Sequence, residues 1–224
     1  MLLLALDTAT SAVTAAVHDG TTVLAEESLT DSRRHAETLT PMIASVVAAA
    51  GRTPADLTAV AVGVGPGPFT GLRVGIATAV TLGLALDIQV YGVCSLDALA
   101  FAAAQETGLE EFLVATDARR KEVYWARYRI AGSELTRVSG MPQVCRPADL
   151  PDEVRALPTA GRGPAIYPEL FTRPLGPLDV PAGALASYTL QEVGAGRELL
   201  PVQPLYLRQP DAQPASAQKS VLPR

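Results

Sequence analysis

The chain has 224 residues, of which 48% are hydrophobic, 18% charged and only 5% aromatic, and its formal net charge is −5. This composition excludes a disordered chain, requires a core built from Ala, Val and Leu, and at about 150 residues per domain allows one large domain or two small lobes. The acidic balance argues against a stand-alone nucleic-acid binder, which needs a basic face, but not against a subunit of a complex that handles nucleic acid.

Residues 2–7 read as a buried strand. Residues 12–18 read as a second, with Val13, Ala15 and Val17 on one face. Asp19-Gly20 is a strong hairpin signal, and 22–28 is the return strand. A helix is expected within 33–50, ended by Gly51, with Pro41 in its first turn or kinking it. A capped short turn at 53–56 leads to an apolar strand at 59–64. A Gly/Pro loop at 65–68 then opens a helix over 69–86. A strand at 90–93 follows, and Ser95 is expected to cap a helix running to 107. Three meandering strands followed by βα units predict a mixed sheet with helices on its faces.

The second half is harder for regular structure to use. Residues 1–130 hold four prolines (Pro41, Pro54, Pro66 and Pro68), and the other fourteen of the 18 lie beyond them. Asp7 and Asp117 are 110 residues apart, and at the same offset Leu3 matches Leu113, Ala5 matches Ala115, Val13 matches Val123 and Ala16 matches Ala126. Five such identities fit either chance or a duplicated lobe with Asp7 and Asp117 at equivalent turns facing a cleft. Strands are expected at 123–130 and 134–138, and a helix at 182–193. The organisation expected is a lobe at 1–108, a truncated second lobe at 109–208 and a disordered tail at 209–224.

Two cysteines, Cys94 and Cys145, are too few for a disulfide framework and are expected to be reduced and packed. Two histidines, His18 and His35, exclude a zinc site of the His-x-x-x-His kind. The apolar start reaches Asp7 too soon for a signal peptide, and the 13 uncharged residues 74–86 fall short of the ~18–20 of a membrane span. A soluble, cytoplasmic protein is expected. The Gly/Pro loop stands where phosphate loops stand, but Thr70 breaks G-x-G-x-x-G, no Gly-Lys-Ser/Thr follows, and Pro66 and Pro68 lack N–H donors. Asp7, Thr8 and Thr10 fit either a vestigial nucleotide site holding a metal-bound phosphate, with Asp117, or a turn bonding its own backbone. The run Arg33-Arg34-His35 fits a solvated helix start, and a catalytic His35 would need a partner that is not evident. Arg119-Arg120-Lys121 fits an exposed turn, or a contact to an acidic partner or RNA phosphate.

Gly71, Gly75, Ala79 and Gly83 recur every four residues and form one ridge of the second helix. Leu72, Ile76, Val80 and Leu84 form the next. A helix apolar all round is expected to be buried all round. Packing against helix 33–50 or against a second subunit would serve, so Gly75→Arg is expected to leave the lobe folded and abolish association.

Leu4-Ala5-Leu6-Asp7-Thr8, Arg34-His35-Ala36-Glu37, the string from Gly63 through Gly67-x-Phe69-Thr70-Gly71-Leu72-Arg73 to Gly75, Asp117-Ala118-Arg119-Arg120, and Pro204-Leu205-Tyr206-Leu207-Arg208 together resemble the TsaB (YeaZ) family of tRNA threonylcarbamoyladenosine biosynthesis subunits. Pro68 stands where that family usually carries Ser. The resemblance implies a duplicated ribonuclease-H-like α/β fold of the actin/Hsp70 type, complete in its first lobe and reduced in its second. It implies a non-catalytic subunit supporting a TsaD-like catalytic subunit, which transfers threonylcarbamoyl to N6 of adenosine 37 in tRNA, with a TsaE-like ATPase joining. The expected partner surface is Arg33, His35, Leu39, Met42, Ile43 and Val46 on the first helix, with Phe69, Leu72, Arg73, Gly75, Ile76, Ala79, Val80 and Gly83 on the second. The chain alone is expected to dimerise through it. The resemblance further implies no metal and no cofactor, ATP or ADP only at the partner interface, tRNA only through the complex, and no membrane. The competing readings are an independent ATPase or sugar-kinase-like enzyme of the same superfamily, and a metallopeptidase.

Overall fold

The computed structural model describes residues 1–30, 35–107, 109–132, 134–138 and 140–208. The expected tail at 209–224 lies outside them. The first half folds into β1 (Leu3–Asp7), β2 (Ala12–His18), β3 (Val23–Thr30), α1 (His35–Ala49), β4 (Ala59–Gly65), α2 (Phe69–Leu86), β5 (Gln89–Cys94) and α3 (Ser95–Thr107). The sheet order is β3-β2-β1-β4-β5, antiparallel from β3 to β1 and parallel from β1 to β5. Asp19 closes the β2–β3 hairpin as its carboxylate accepts the Thr21 and Thr22 N–H groups, with Gly20 at φ +99°.

The second half holds β6 (Glu111–Asp117), β7 (Val123–Ala131), β8 (Glu134–Arg137), β9 (Gln143–Cys145), α4 (Asp152–Arg155), β10 (Thr159–Ala160), α5 (Gly163–Ile166), β11 (Pro174–Leu175) and α6 (Ala182–Gly194). Its sheet order, β8-β7-β6-β10-β11 with β9 beside β7, repeats that of the first, including the switch from antiparallel to parallel at the central strand. The helices on its outer face, α4 and α5, have four residues each.

The elements stack in layers. α1 and α2 cover the outer face of the first sheet over Leu4, Leu6, Val13, Ala15, Val60 and Val62. α3 and α6 lie between the sheets with Leu3, Ala5, Leu99, Phe112, Val114 and Leu185. α4, α5 and Phe171 cover the outer face of the second sheet over Leu113, Ala115 and Val123. So α6, from the second half of the chain, covers the inner face of the first sheet.

Faces and register refine the repeat. Val13 and Val123 both face outward, and Ala16 and Ala126 both face inward. Leu3 and Ala5 face inward, however, whereas Leu113 and Ala115 face outward. Asp7 pairs with Thr14 but Asp117 with Val123, so the second hairpin is one residue shorter. The matching offset is therefore 110 on the second strand of each hairpin and one less on the first, and a one-residue slip reverses every face.

Two expectations about the helices change. Pro41 lies beyond the first turn of α1, on its exposed side. Its lost hydrogen bond costs about 3 kcal/mol, which burial of Leu39, Met42, Ile43 and Val46 at roughly 1.5–3 kcal/mol each offsets. α2 is not buried all round: Val80 is 38% and Leu84 80% exposed. By length and hydropathy alone α2 would pass for a membrane span; here it packs along β4.

Candidate functional site

The Gly/Pro loop between β4 and α2 is built around the turn that leaves β1. Asp7 is fully buried. One of its oxygens accepts the Ala9 N–H at 2.8 Å and the other the Ser95 hydroxyl at 2.6 Å. A Cβ at Gly63 would stand 1.8 Å from that second oxygen, so only glycine leaves room for the carboxylate. Ser95 also accepts the Gly65 N–H at 3.2 Å, so its hydroxyl serves the Asp7 turn at the start of α3. At Gly67 a Cβ would lie 2.3 Å from the Ala9 carbonyl oxygen. Thr8 donates to the Gly71 carbonyl at 2.7 Å, and a Cβ at Gly75 would lie 2.4 Å from its hydroxyl oxygen. Burial pushes the Asp7 carboxyl up to about 6, while the Ser95 and Ala9 hydrogen bonds hold it down. Asp7 and Thr8 thus lock β1 to the loop and to α2.

Asp117, one residue past the position that matches Asp7, makes a turn of the same kind, accepting the Arg119 N–H at 2.7 Å. The two turns face each other across a small space beside which Arg162 forms a two-pronged ion pair with Asp179, while Asp179 accepts the Ser11 N–H. Thr10, Asp117 and Arg119 line the space between them; the Asp7 carboxylate turns away beneath Gly63. That space is about 10 Å³, room for roughly one water. The Thr10 hydroxyl is buried there without a partner among the described residues. A nucleotide needs a pocket of some 300 Å³ or more. Among the described residues no three His, Cys, Asp or Glu side chains gather as a metal site would need.

The expected partner surface divides in two. Leu39, Met42, Ile43, Val46, Leu72, Gly75, Ile76, Ala79 and Gly83 are buried within the chain itself. The glycine ridge faces the sheet: Gly75 meets Thr8, and a Cβ at Gly83 would stand 2.3 Å from Val90. Gly75→Arg would therefore drive a side chain into β1 and break the lobe, contrary to the expectation that it spares it. Phe69, Arg73 and Val80 are exposed, and with Thr70, Ala77, Thr81 and Leu84 they form the outward ridge of α2. On α1 the outward positions are Ala44, Ser45, Ala48 and Ala49. Arg33 and the His35 side chain lie outside the described residues.

A larger space opens beside the closed one. About 420 Å³ lies between Gly67, Pro68 and Phe69 on one side and Ala118, Arg119 and Arg120 on the other, with Tyr124, Tyr206, Leu207 and Arg208 completing the walls. Residues 200–208 reach it as a strap. Leu200 donates to the Gly92 carbonyl at 3.1 Å, Leu205 to the Val64 carbonyl at 2.8 Å, and Arg208 to the Ala118 carbonyl at 3.0 Å while pairing with Glu122. Phe69 and Tyr206 stack with centroids 5.4 Å apart, and the Arg73 guanidinium lies 3.5 Å from the Phe69 centroid. Arg73 Nε donates to the Tyr206 hydroxyl at 3.1 Å. Burial, with the Asp117 charge, raises the Tyr124 hydroxyl pKa. Arg119, Arg120 and Lys121 are all left-handed, at φ +60°, +53° and +62°. For side chains other than glycine this costs about 1–2 kcal/mol each, and such strain collects at functional sites. The sequence marked these motifs separately but not the groove they form together; the clue was the late Pro204–Arg208 string, which had no role within either lobe.

Two sheets of one ribonuclease-H-like strand order, with α3 and α6 between them and a strap along a cationic–aromatic groove, make this a mixed α/β protein. A family model described as TsaD, tRNA N6-adenosine threonylcarbamoyltransferase, matches residues 22–199. The tRNA threonylcarbamoyladenosine biosynthesis protein TsaB of Escherichia coli is 34% identical over 174 residues, 76% of this chain and 75% of that protein. An uncharacterized protein of Mycobacterium tuberculosis is 46% identical over 94% of this chain and 93% of its own length. The solved structure of YeaZ from Pseudomonas aeruginosa superposes with a TM-score of 0.77 at 33% identity, covering 92% of this chain and 99% of that one. The chain belongs to this family, and within it to the TsaB (YeaZ) group.

Proposed function

We propose that the chain is a non-catalytic subunit that binds and supports a TsaD-like catalytic subunit in the synthesis of N6-threonylcarbamoyladenosine on tRNA. The observation that carries this is the outward ridge of α2. Phe69, Ala77, Val80 and Leu84 line an exposed apolar strip, flanked by Ala44 and Ala48 of α1, where another helix pair can approach closely. The lone chain would pair with a second copy through the same strip, and a TsaE-like ATPase would join the assembled complex in the cytoplasm. The second half is read as a reduced duplicate of the first. The 10 Å³ left between the Asp7 and Asp117 turns favours this reading over an independent ATPase or sugar kinase.

The test is co-elution with a TsaD-like chain, followed by threonylcarbamoyladenosine formation on tRNA with and without this chain. Leu84→Arg, at a position 80% exposed, should leave the unfolding midpoint unchanged while abolishing co-elution and activation. Activation without this chain, or normal co-elution of Leu84→Arg, counts against the proposal.

A further inference from the structure

The groove beside the strap carries a second assignment. We infer that it binds single-stranded RNA, with one unstacked base on the Phe69–Tyr206 platform and the neighbouring phosphates on the Arg119–Arg120–Lys121 turn. This rests on the function proposed above and deepens it: the chain would touch the RNA substrate itself rather than only the subunit that modifies it.

Size, shape and charge agree. The groove's 420 Å³ suits one nucleotide and is far larger than the closed space beside it. Phe69 and Tyr206 are 45% and 41% exposed, so ring surface is free for a base to stack on. Arg73 braces both rings, against the Phe69 face and the Tyr206 hydroxyl, so the platform is ordered before a ligand arrives. Aromatic rings backed by a guanidinium plane are the usual seat of an unstacked base. Opposite stand Arg119 and Arg120, with Lys121 next on the same strained left-handed turn, all three exposed. Arg208 is neutralised by Glu122, and Asp117 faces Arg119 at 3.3 Å. Against the Asp117 carboxylate, Arg73, Arg119 and Lys121 still leave a local cationic surplus on a chain whose net charge is −5.

A strand fits better than a free nucleotide. Pro66 and Pro68 remove two of the N–H groups that an anion nest in the loop wall would use. Phosphate recognition is left to solvent-facing arginine and lysine, whose weak, salt-dependent contacts accumulate only along several phosphates.

The test is fluorescence anisotropy of the full chain with a fluorescein-labelled oligoadenylate of about eight nucleotides, a duplex of similar length, and AMP as competitor. The single strand should bind and the duplex should not. Tyr206→Ala should weaken binding about 5- to 150-fold, the range for loss of one stacked base, and Tyr206→Phe should restore it. Arg119→Gln and Arg120→Gln should each flatten the dependence of log Kd on log salt by about 0.7. AMP binding as tightly as the oligomer would overturn the inference in favour of a free nucleotide. No RNA binding, with Tyr206→Ala releasing the TsaD-like subunit instead, would overturn it in favour of a protein contact. A chain that binds no RNA yet activates a TsaD-like subunit normally sinks this inference alone and leaves the subunit reading standing.

Discussion

Alanine at position 75 asks which way α2 faces. On a solvent-facing helix surface the change from glycine should stabilise by about 1 kcal/mol. Here the added Cβ lands 2.4 Å from Thr8 Oγ1 and 3.6 Å from a Leu6 methyl. Thr8 cannot step aside freely, because it is fully buried and its hydroxyl is bonded to the Gly71 carbonyl. α2 must lift from β1 and the hydroxyl must turn away from the Gly71 carbonyl, leaving one buried polar group unpaired. Overpacking costs about 1–3 kcal/mol, and an unpaired buried group about 1–3 kcal/mol more. After subtracting the helix gain, the net loss is about 1–5 kcal/mol, a large part of the ~5–15 kcal/mol that holds a domain together. Urea unfolding followed by circular dichroism measures it as a lower midpoint with an unchanged slope. Removing the obstacle separates clash from general damage. Thr8→Ala combined with Gly75→Ala should lose less than the two single changes summed, by about 0.5–3 kcal/mol. A Gly75→Ala protein as stable as its parent, or more so, would refute the sheet-facing placement of the ridge.

Two further outcomes follow from the buried turn and the strap. Burial holds the Asp7 carboxyl at about 6 in the folded chain against 3.8 for the free group. The folded state therefore binds this proton more tightly, so its contribution is full below about pH 4 and is lost as pH rises through about 6, roughly 3 kcal/mol in all. Asp7→Asn keeps an acceptor for the Ala9 N–H and cannot titrate, so its stability curve between about pH 4 and 7 should be flatter than the parent's; parallel urea-midpoint curves would count against this. Gly92 lies under the strap, and a Cβ there would stand 2.6 Å from the Leu200 carbonyl oxygen and 2.8 Å from that of Pro201. Gly92→Ala should loosen residues 200–208 and speed their amide exchange about five- to hundredfold, a local opening worth about 1–3 kcal/mol. Protection in β1 and β4 should persist, and an exchange pattern identical to the parent's would show the strap is not held there.

The first sheet could be read from the chain because its strands are long enough to show a period and its turns carry their own chemistry. Asp19-Gly20 closes a hairpin wherever it occurs, and 18 uninterrupted residues from Phe69 to Leu86 leave little but a helix. The second sheet could not be read this way. β10 and β11 are two residues each, too short for any alternation, and β11 begins at a proline. They hold their places only because β6 supplies the ladder beside β10, and that information is more than forty residues away.

The ridge of Gly71, Gly75, Ala79 and Gly83 marks a different limit. Small residues every four positions say that something comes close, but not what does. Here the sheet comes close, at Thr8 just past β1 and at Val90 on β5, with no small-residue pattern of their own to announce them. Once that ridge is committed inward, the helix geometry fixes the rest. Positions three and four residues apart share a face, so the surface left for another protein runs through Arg73, Ala77, Val80 and Leu84. The one charged member of that strip, Arg73, is the residue that also braces Phe69 against Tyr206. The partner face and the groove therefore meet at Phe69 and Arg73, and Arg73→Ala is the change that should disturb both.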